Sequence, residues 1–263
     1  MRVYILTLFP EMFSSVLETS ILKRAQDQGL LTVNLVNPRD FARDAHRTVD
    51  DYPYGGGPGM VMKPEPVYEA VSWVKQDLGK EPCVILLSPQ GRTFTTSLAA
   101  EIAGKEDVVL IAGHYEGFDE RIRYLADVEV SIGDYVLTGG ELAAMAVLDA
   151  SARFIPGVLG HEESANQDSF SDGLLEGPQY TRPPEYRGMK VPDVLFSGHH
   201  EAVMRWRRKE GIRRTLERRP ELLRKACLTY EDRLLLKEII GEDSKGKRCT
   251  EARSDIREHS KNN

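Results

Sequence analysis

Apolar residues along this chain fall into short runs that alternate with stretches of helical periodicity. Residues 2–8 form a strand-like run, and Phe9-Pro10-Glu11 then opens a helix that Gly29 ends, with proline in the first turn and an acid near the N-terminus. Leu31, Val33 and Leu35 alternate as a second strand. Residues 64–78 place Val67, Ala70, Val71, Val74 and Leu78 at helical spacing ahead of the run 84–87. Thr96–Ala103 predicts a short helix before the run 108–112, and residues 119–126 predict a further turn or two. After Val128-Glu129-Val130 and a glycine-rich loop at 131–141, Leu142, Met145, Leu148 and Ala152 form a helical stripe that Pro156-Gly157 stops. Strands alternating with helices predict an α/β fold with a parallel sheet, and continuous apolar runs are the mark of strands buried on both faces.

Three of these runs end in glycine-bearing loops: Ser88-Pro89-Gln90-Gly91, Gly113-His114-Tyr115-Glu116-Gly117 and Ser131–Glu141. Open α/β sheets bind ligands beyond the carboxyl ends of their strands, and glycine lets backbone approach a ligand closely. Each loop alone reads equally well as a tight turn; together they predict one backbone-lined pocket. The loops carry no lysine, which argues against a nucleoside triphosphate, and no GxGxxG follows a strand. Tyr115 and Tyr135 are available for stacking, with Glu116 beside them, so the pocket suits an adenosine-type ligand with little negative charge.

Residues 38–60 have no periodic apolar face and end in Asp50-Asp51 and four glycines, the composition of a mobile surface loop. A metal or phosphate could sit there, but the segment matches neither Walker A nor an EF-hand. The polar stretch 162–173 reads as an interdomain linker, and residues beyond about 242 as a charged, disordered tail. Composition is that of an ordinary folded protein, with 41% hydrophobic and 29% charged residues. The opening residues read as a buried first strand rather than a signal peptide, and no run is long enough to cross a bilayer. Cys83, Cys227 and Cys249 show neither CxxC nor metal spacing, which points to a reducing cytoplasm.

The net charge of −6 hides an asymmetry. Residues 180–225 hold 13 Lys/Arg against 6 Asp/Glu, a surplus of seven, so the rest of the chain carries about −13. Such a block is the footprint of a polyanionic partner, or else a solvated helix face with salt bridges. No nucleophile–base pair is legible, and His46, His114, His161, His199, His200 and His259 form no ligand spacing. Two isolated charges remain. Arg153 follows the helix that leaves the central glycine loop and could pair with Asp149; Asp168 in the linker could be a cap.

Taken together, the runs Tyr54–Met60, Ser88–Arg92, Gly113–Gly117, Ser131–Glu141, Arg153–Gly160, Asp168–Phe170 and Tyr180–Pro183 closely resemble the bacterial TrmD-type tRNA (guanine-N1)-methyltransferase family, from residue 1 to about 240. The resemblance implies an N-terminal SPOUT domain over 1–160, α/β with a parallel sheet and a deep trefoil knot. It implies a flexible linker at 161–176, a small all-α, basic, tRNA-binding domain at 177–241, and a tail at 242–263. It also implies a homodimer with active sites shared between protomers. S-adenosylmethionine would be the methyl donor and N1 of the guanosine at tRNA position 37, itself preceded by guanosine, the acceptor. Arg153 and Asp168 match the catalytic pair. Leu87, Pro89, Gly113, Tyr115, Ile132, Gly133, Asp134, Tyr135, Val136, Leu137, Gly139 and Gly140 match the donor pocket, mostly through backbone. Asp50 and Glu116 match positions that contact the guanosines or a magnesium ion, and Ser169, Arg182, Ser197, His200 and Arg205 match the tRNA side. Two positions depart from the family pattern: His114 stands where arginine is expected, and Ala143 where proline is common. Competing classes are another S-adenosylmethionine-dependent RNA methyltransferase, a silent RNA-binding module, which leaves three glycine loops without a purpose, and a nicotinamide oxidoreductase, which lacks its fingerprint.

Overall fold

The apolar runs become strands: β1 (Arg2–Leu6), β2 (Thr32–Val36), β3 (Asp50–Asp51), β4 (Val61–Met62), β5 (Cys83–Thr93), β6 (Asp107–Ala112) and β7 (Val128–Ser131). The structure is a computed structural model that describes residues 1–160 and 168–242. The first half of the expected linker, 161–167, and the expected tail from 243 onward lie outside the described residues, and with them His161, Cys249 and His259. Contacts divide the chain into two units, Met1–Ala165 and Asn166–Asn263.

In the first unit five strands form one sheet in the order β2-β1-β6-β5-β7, and each neighbouring pair is parallel. Successive side chains of a strand face opposite ways, so each run divides its apolar residues between two layers. Val3, Ile5, Ile85, Leu87, Val108 and Leu110 pack with α2 (Ser20–Asp27), α4 (Thr96–Ala103) and α5 (Glu141–Ala152) through Leu22, Ala25, Leu98, Ile102, Ala144 and Leu148. Tyr4, Leu6, Val84, Leu86, Val109 and Ile111 pack on the other face with Val67, Ala70, Val71 and Val74 of α3 (Pro64–Leu78). Proline opens α3 and Gly79 closes it at φ 68°, where its N–H reaches the carbonyls of Lys75 and Gln76. Thr95 caps α4 by accepting the Leu98 N–H.

Several elements depart from expectation. The single helix expected after Phe9 is broken into a 3₁₀ turn (Pro10–Phe13), α1 (Ser14–Leu17) and α2. Thr19 Oγ1 donates to the Ser15 carbonyl at 2.6 Å, and Ser20 sits at φ 52°, which no right-handed helix continues through. The turns at 119–126 are 3₁₀ (Glu120–Leu125), begun by Asp119, whose carboxylate accepts the Arg121 N–H. Residues 38–60 are anchored in the core: Val49 is fully buried, its carbonyl accepts the Lys63 N–H at 2.8 Å, and β3 pairs antiparallel with β4. β5 outlasts its apolar run. It pairs with β7 at Leu87↔Val130 and again, after a register shift, at Arg92↔Val130. Gly91 lies in that shift, where a Cβ would collide with the Glu129–Val130 backbone.

The second unit holds a hairpin, β8 (Glu185–Tyr186) and β9 (Met189–Lys190), then α6 (His200–Arg218), α7 (Pro220–Leu223) and a further helix, α8, over residues 230–242. It is therefore not all-α. Arg187 and Gly188, both at positive φ, make the tight turn that joins the strands. Leu174, Ile212, Leu235 and Ile239 form its core. Residues 168–176, expected to belong to a flexible linker, pack here instead because Leu174 has an apolar site to fill. The Leu175 N–H donates to Thr215 Oγ1 at 2.9 Å, and only glycine at 211 leaves room for the Leu175 carbonyl. Among the described residues no helix is long and apolar enough to cross a membrane.

Candidate active site

Leu87–Pro89 in the middle of β5 and the loops that leave β6 and β7 at their carboxyl ends converge on one cavity of about 150 Å³. Glycine is what lets them meet. The Gly140 N–H donates to the Gly113 carbonyl at 2.6 Å, and residues 114 and 139 form an isolated antiparallel bridge. A Cβ on Gly140 would lie 2.7 Å from the Gly113 nitrogen and 2.8 Å from Ala112 Cα, so the two loops could not close with any larger residue. In the third loop Ser131 Oγ accepts the Gly133 N–H at 3.2 Å and donates to the Gly133 carbonyl at 3.1 Å. Gly133 takes φ 147°, and the turn lays the Tyr135 ring across it.

Of the residues matched to the donor pocket, Leu87, Pro89, Gly113, Tyr115, Ile132, Gly133, Tyr135, Val136, Leu137, Gly139 and Gly140 line this cavity; Asp134 does not, and is exposed. No lysine or arginine lines it, and Glu116 is the single carboxylate that does. Positive charge is thus better received here than phosphate. Sequence reasoning passed over Ser88, Phe118, Val130, Ser131 and Thr138 on the same wall. Ser88 and Ser131 stood within named loops, whereas nothing in the sequence ties Phe118, whose ring fills the space beside Gly113, to this wall. The departures His114 and Ala143 line the cavity too.

Tyr115 adopts φ 63° and directs its phenol away to Arg39, whose Nη2 donates to it at 3.1 Å. Burial, and next the charge of Asp50, push the Tyr115 hydroxyl above its ordinary value despite the opposing Arg39. Asp50 is thereby placed beside the loop Gly113–Gly117. Glu116 packs on Gly59, where a Cβ would collide with its side chain. Among the described residues no three His, Cys, Asp or Glu side chains are gathered to hold a metal ion, so Asp50 and Glu116 do not by themselves make a magnesium site.

Arg153 is half-buried at the C-cap of α5, in the first unit. Asp168 belongs to the second, in a turn where its carbonyl accepts the Ser171 N–H. Ser169 Oγ accepts the Glu176 N–H at 3.1 Å. Ser197 precedes α6, whose N-cap is His199, and Ser197 Oγ accepts the His199 N–H. Arg182 and His200 are exposed. Arg205 is engaged, donating to Glu238 at 2.6 Å. The same is true of much of the basic block. Lys209 pairs with Glu238 and Glu242, Arg213 with Glu242, and Arg208 with Asp232 and Asp172.

Residues 1–225 match the family described as tRNA (Guanine-1)-methyltransferase TrmD. The chain belongs to that family. It is a tRNA methyltransferase acting at N1 of guanine. Among its relatives are proteins named tRNA (guanine-N(1)-)-methyltransferase from Dehalococcoides mccartyi, 57% identical over 93% of this chain and 99% of the relative, and from Halalkalibacterium halodurans, 54% identical over 93% of this chain and the whole of the relative. A third, from Pelotomaculum thermopropionicum, is 57% identical over 91% of this chain and 96% of its own length.

Proposed function

We propose that this chain binds S-adenosylmethionine in the cavity between Leu87–Pro89 of β5 and the loops after β6 and β7, and transfers its methyl group to N1 of the guanosine at tRNA position 37, 3′ of the anticodon. The observation that carries this reading is the cavity itself: backbone from two glycine loops and from Leu87–Pro89 of β5, two tyrosines and no lysine or arginine, on three adjacent strands. A sulfonium donor with an adenosine face suits that lining, whereas a nucleotide polyphosphate does not.

In the reaction, the N1–CH₃ bond forms as the S–CH₃ bond breaks, the sulfur keeps the bonding pair, and the N1 proton leaves. Asp168 is the base proposed to accept that proton. Arg153 supplies fixed positive charge to O6 of guanine, toward which electron density moves as the proton departs. No step here runs through magnesium.

In this reading residues 1–160 are the SPOUT donor-binding domain, and 177–241 grip the tRNA. The reading includes a deep trefoil knot, and at Gly140 the loop after β7 passes the Ala112–Gly113 backbone with no room for a side chain. We place the enzyme in the cytoplasm as a homodimer whose protomers share each active site.

The test is single-turnover methylation of unmodified tRNA with both substrates saturating. Wild-type protein should methylate a transcript with guanosine at position 37 and not one with adenosine there. Asp168→Asn should keep donor binding and lose about 10²-fold or more in rate; Arg153→Ala should lose rate far more than donor affinity. A full-rate Asp168→Asn enzyme would return Asp168 to the role of a turn residue.

A further inference from the structure

Glu141 is the first residue of α5, yet its side chain is only 2% exposed and does not line the cavity. A buried carboxylate is destabilising unless it is paired, and it marks a place where the fold needs it. Its Oε1 accepts from Thr7 Oγ1 at 3.0 Å, a fully buried bond between residues 134 positions apart. Thr7 follows β1, is itself fully buried, and its Oγ1 accepts the Phe9 N–H at 3.0 Å. The other carboxylate oxygen, Oε2, lies 3.8 Å from His114 Nδ1. The His114 ring is held from its other sides by the Phe9 ring at 4.8 Å and the Tyr115 ring at 5.2 Å, and the backbone N–H of His114 donates to Met62 Sδ. Gly139 closes the group: a Cβ there would collide with Oε2 and come 2.5 Å from His114 Nδ1.

One carboxylate therefore touches the loop after β1, the loop after β6 and the glycine loop after β7. The last two supply cavity lining at His114, Gly139 and Gly140. We propose that Glu141 is a positioning residue: anchored by Thr7 and flanked by His114, it holds the Gly113 and Gly139–Gly140 backbones at the spacing that admits the methyl donor. A negative charge in the first turn of a helix favours the helix from an exposed position equally well. Neither the burial nor the tie to Thr7 is needed for that purpose. The inference rests on the donor reading of the cavity given above.

The experiment uses the full chain, with S-adenosylmethionine titrated calorimetrically and donor KM and kcat measured on unmodified tRNA. Thr7→Val removes the hydroxyl but keeps the shape. It should raise the donor Kd about tenfold, equivalent to about 1.4 kcal/mol, with donor KM rising in parallel and kcat at saturating donor little changed. Thr7→Ser, which restores the hydroxyl, should return the donor Kd to near wild type. Glu141→Gln still accepts from Thr7 but is uncharged, and should weaken the donor in the same direction; if it fails to fold, the Thr7 pair decides alone. A folded Thr7→Val protein with lowered Tm but wild-type donor Kd and KM would overturn the proposal and leave Glu141 a structural helix residue. Failure of the wild-type protein to bind S-adenosylmethionine would instead overturn the donor reading itself.

Discussion

Asp232 is 2% exposed and answers two demands at once. Its carboxylate accepts Arg208 Nε at 2.7 Å and Nη2 at 3.0 Å, and also takes the Thr229 N–H at 2.9 Å. The Asp232 N–H returns a bond to Thr229 Oγ1 at 3.1 Å, which completes a reciprocal cap at the start of α8. The Arg208 bond, opposed by burial and helped by Thr229, holds this carboxyl well below its usual range, at about 2. A carboxyl held down in the folded state stabilises it above the unfolded value, here 3.8, and that contribution is lost as pH falls from there toward about 2. Asp232→Asn, which keeps the shape but not the charge, should destabilise the second unit by about 2 kcal/mol at neutral pH. It should also flatten the loss of stability between pH 4 and 2, read by denaturant titration with Trp206 as reporter. An unchanged acid limb in the variant would show that the Arg208 pair is not what titrates.

At the level of strands and loops, close approach decides more than chain conformation does. Gly140 has φ −81°, which any residue tolerates, yet a Cβ there would press on the backbone of Ala112 and Gly113, and backbone cannot swing aside. Gly140→Ala should therefore weaken S-adenosylmethionine binding tenfold or more, by about 1.4 kcal/mol at least. Gly55→Ala, at an exposed position with open space around it, should leave donor affinity unchanged. Equal donor affinity in both variants would remove the loop crossing from the account. The same contrast explains what the sequence disclosed. Runs such as 84–87 and 108–112 are legible because strands buried on both faces must be apolar throughout, and α3 and α4 appear at their expected limits because proline, threonine and glycine mark their ends. The tail of β5 is illegible, since Ser88–Thr93 carries no apolar run. Hairpin β8–β9 has only two residues per strand, too few for any alternation to register. The glycine loops were visible as glycines. That Thr7, Arg39 and Phe118 would meet them was not, because such contacts join residues far apart in the chain through a sheet order that no local pattern encodes.

Over the whole molecule, charge is sorted between two tasks. The surplus of seven across residues 180–225 is partly answered within the second unit by Asp232, Glu238 and Glu242, acids of α8 beyond that window. Arg205, Lys209 and Arg213 recur every four residues on α6, so they share the face that meets those acids. Arg207 and Arg218, eleven residues apart, lie on another stripe, exposed and, among the described residues, without an ion-pair partner. Arg182 and Arg224 are likewise exposed and, among the described residues, in no ion pair, whereas exposed Lys225 lies near Glu221. A guanidinium already committed to a carboxylate releases few counterions when it meets phosphate, whereas an uncommitted one releases its full share. Binding of unmodified tRNA by the full chain should therefore weaken steeply with salt, and the slope should be divided unequally among the basic residues. Arg207→Ala or Arg218→Ala should each reduce the slope of log K against log salt by about 0.7–0.9 with little change in Tm. Arg205→Ala should leave the slope nearly unaltered and lower Tm slightly, since it frees Glu238 from one of its two partners. Filter binding at four or more salt concentrations measures both. If Arg205→Ala shifts the slope as much as Arg207→Ala, the ion pairs with α8 open on binding, and the division between structural and tRNA-facing charge does not hold.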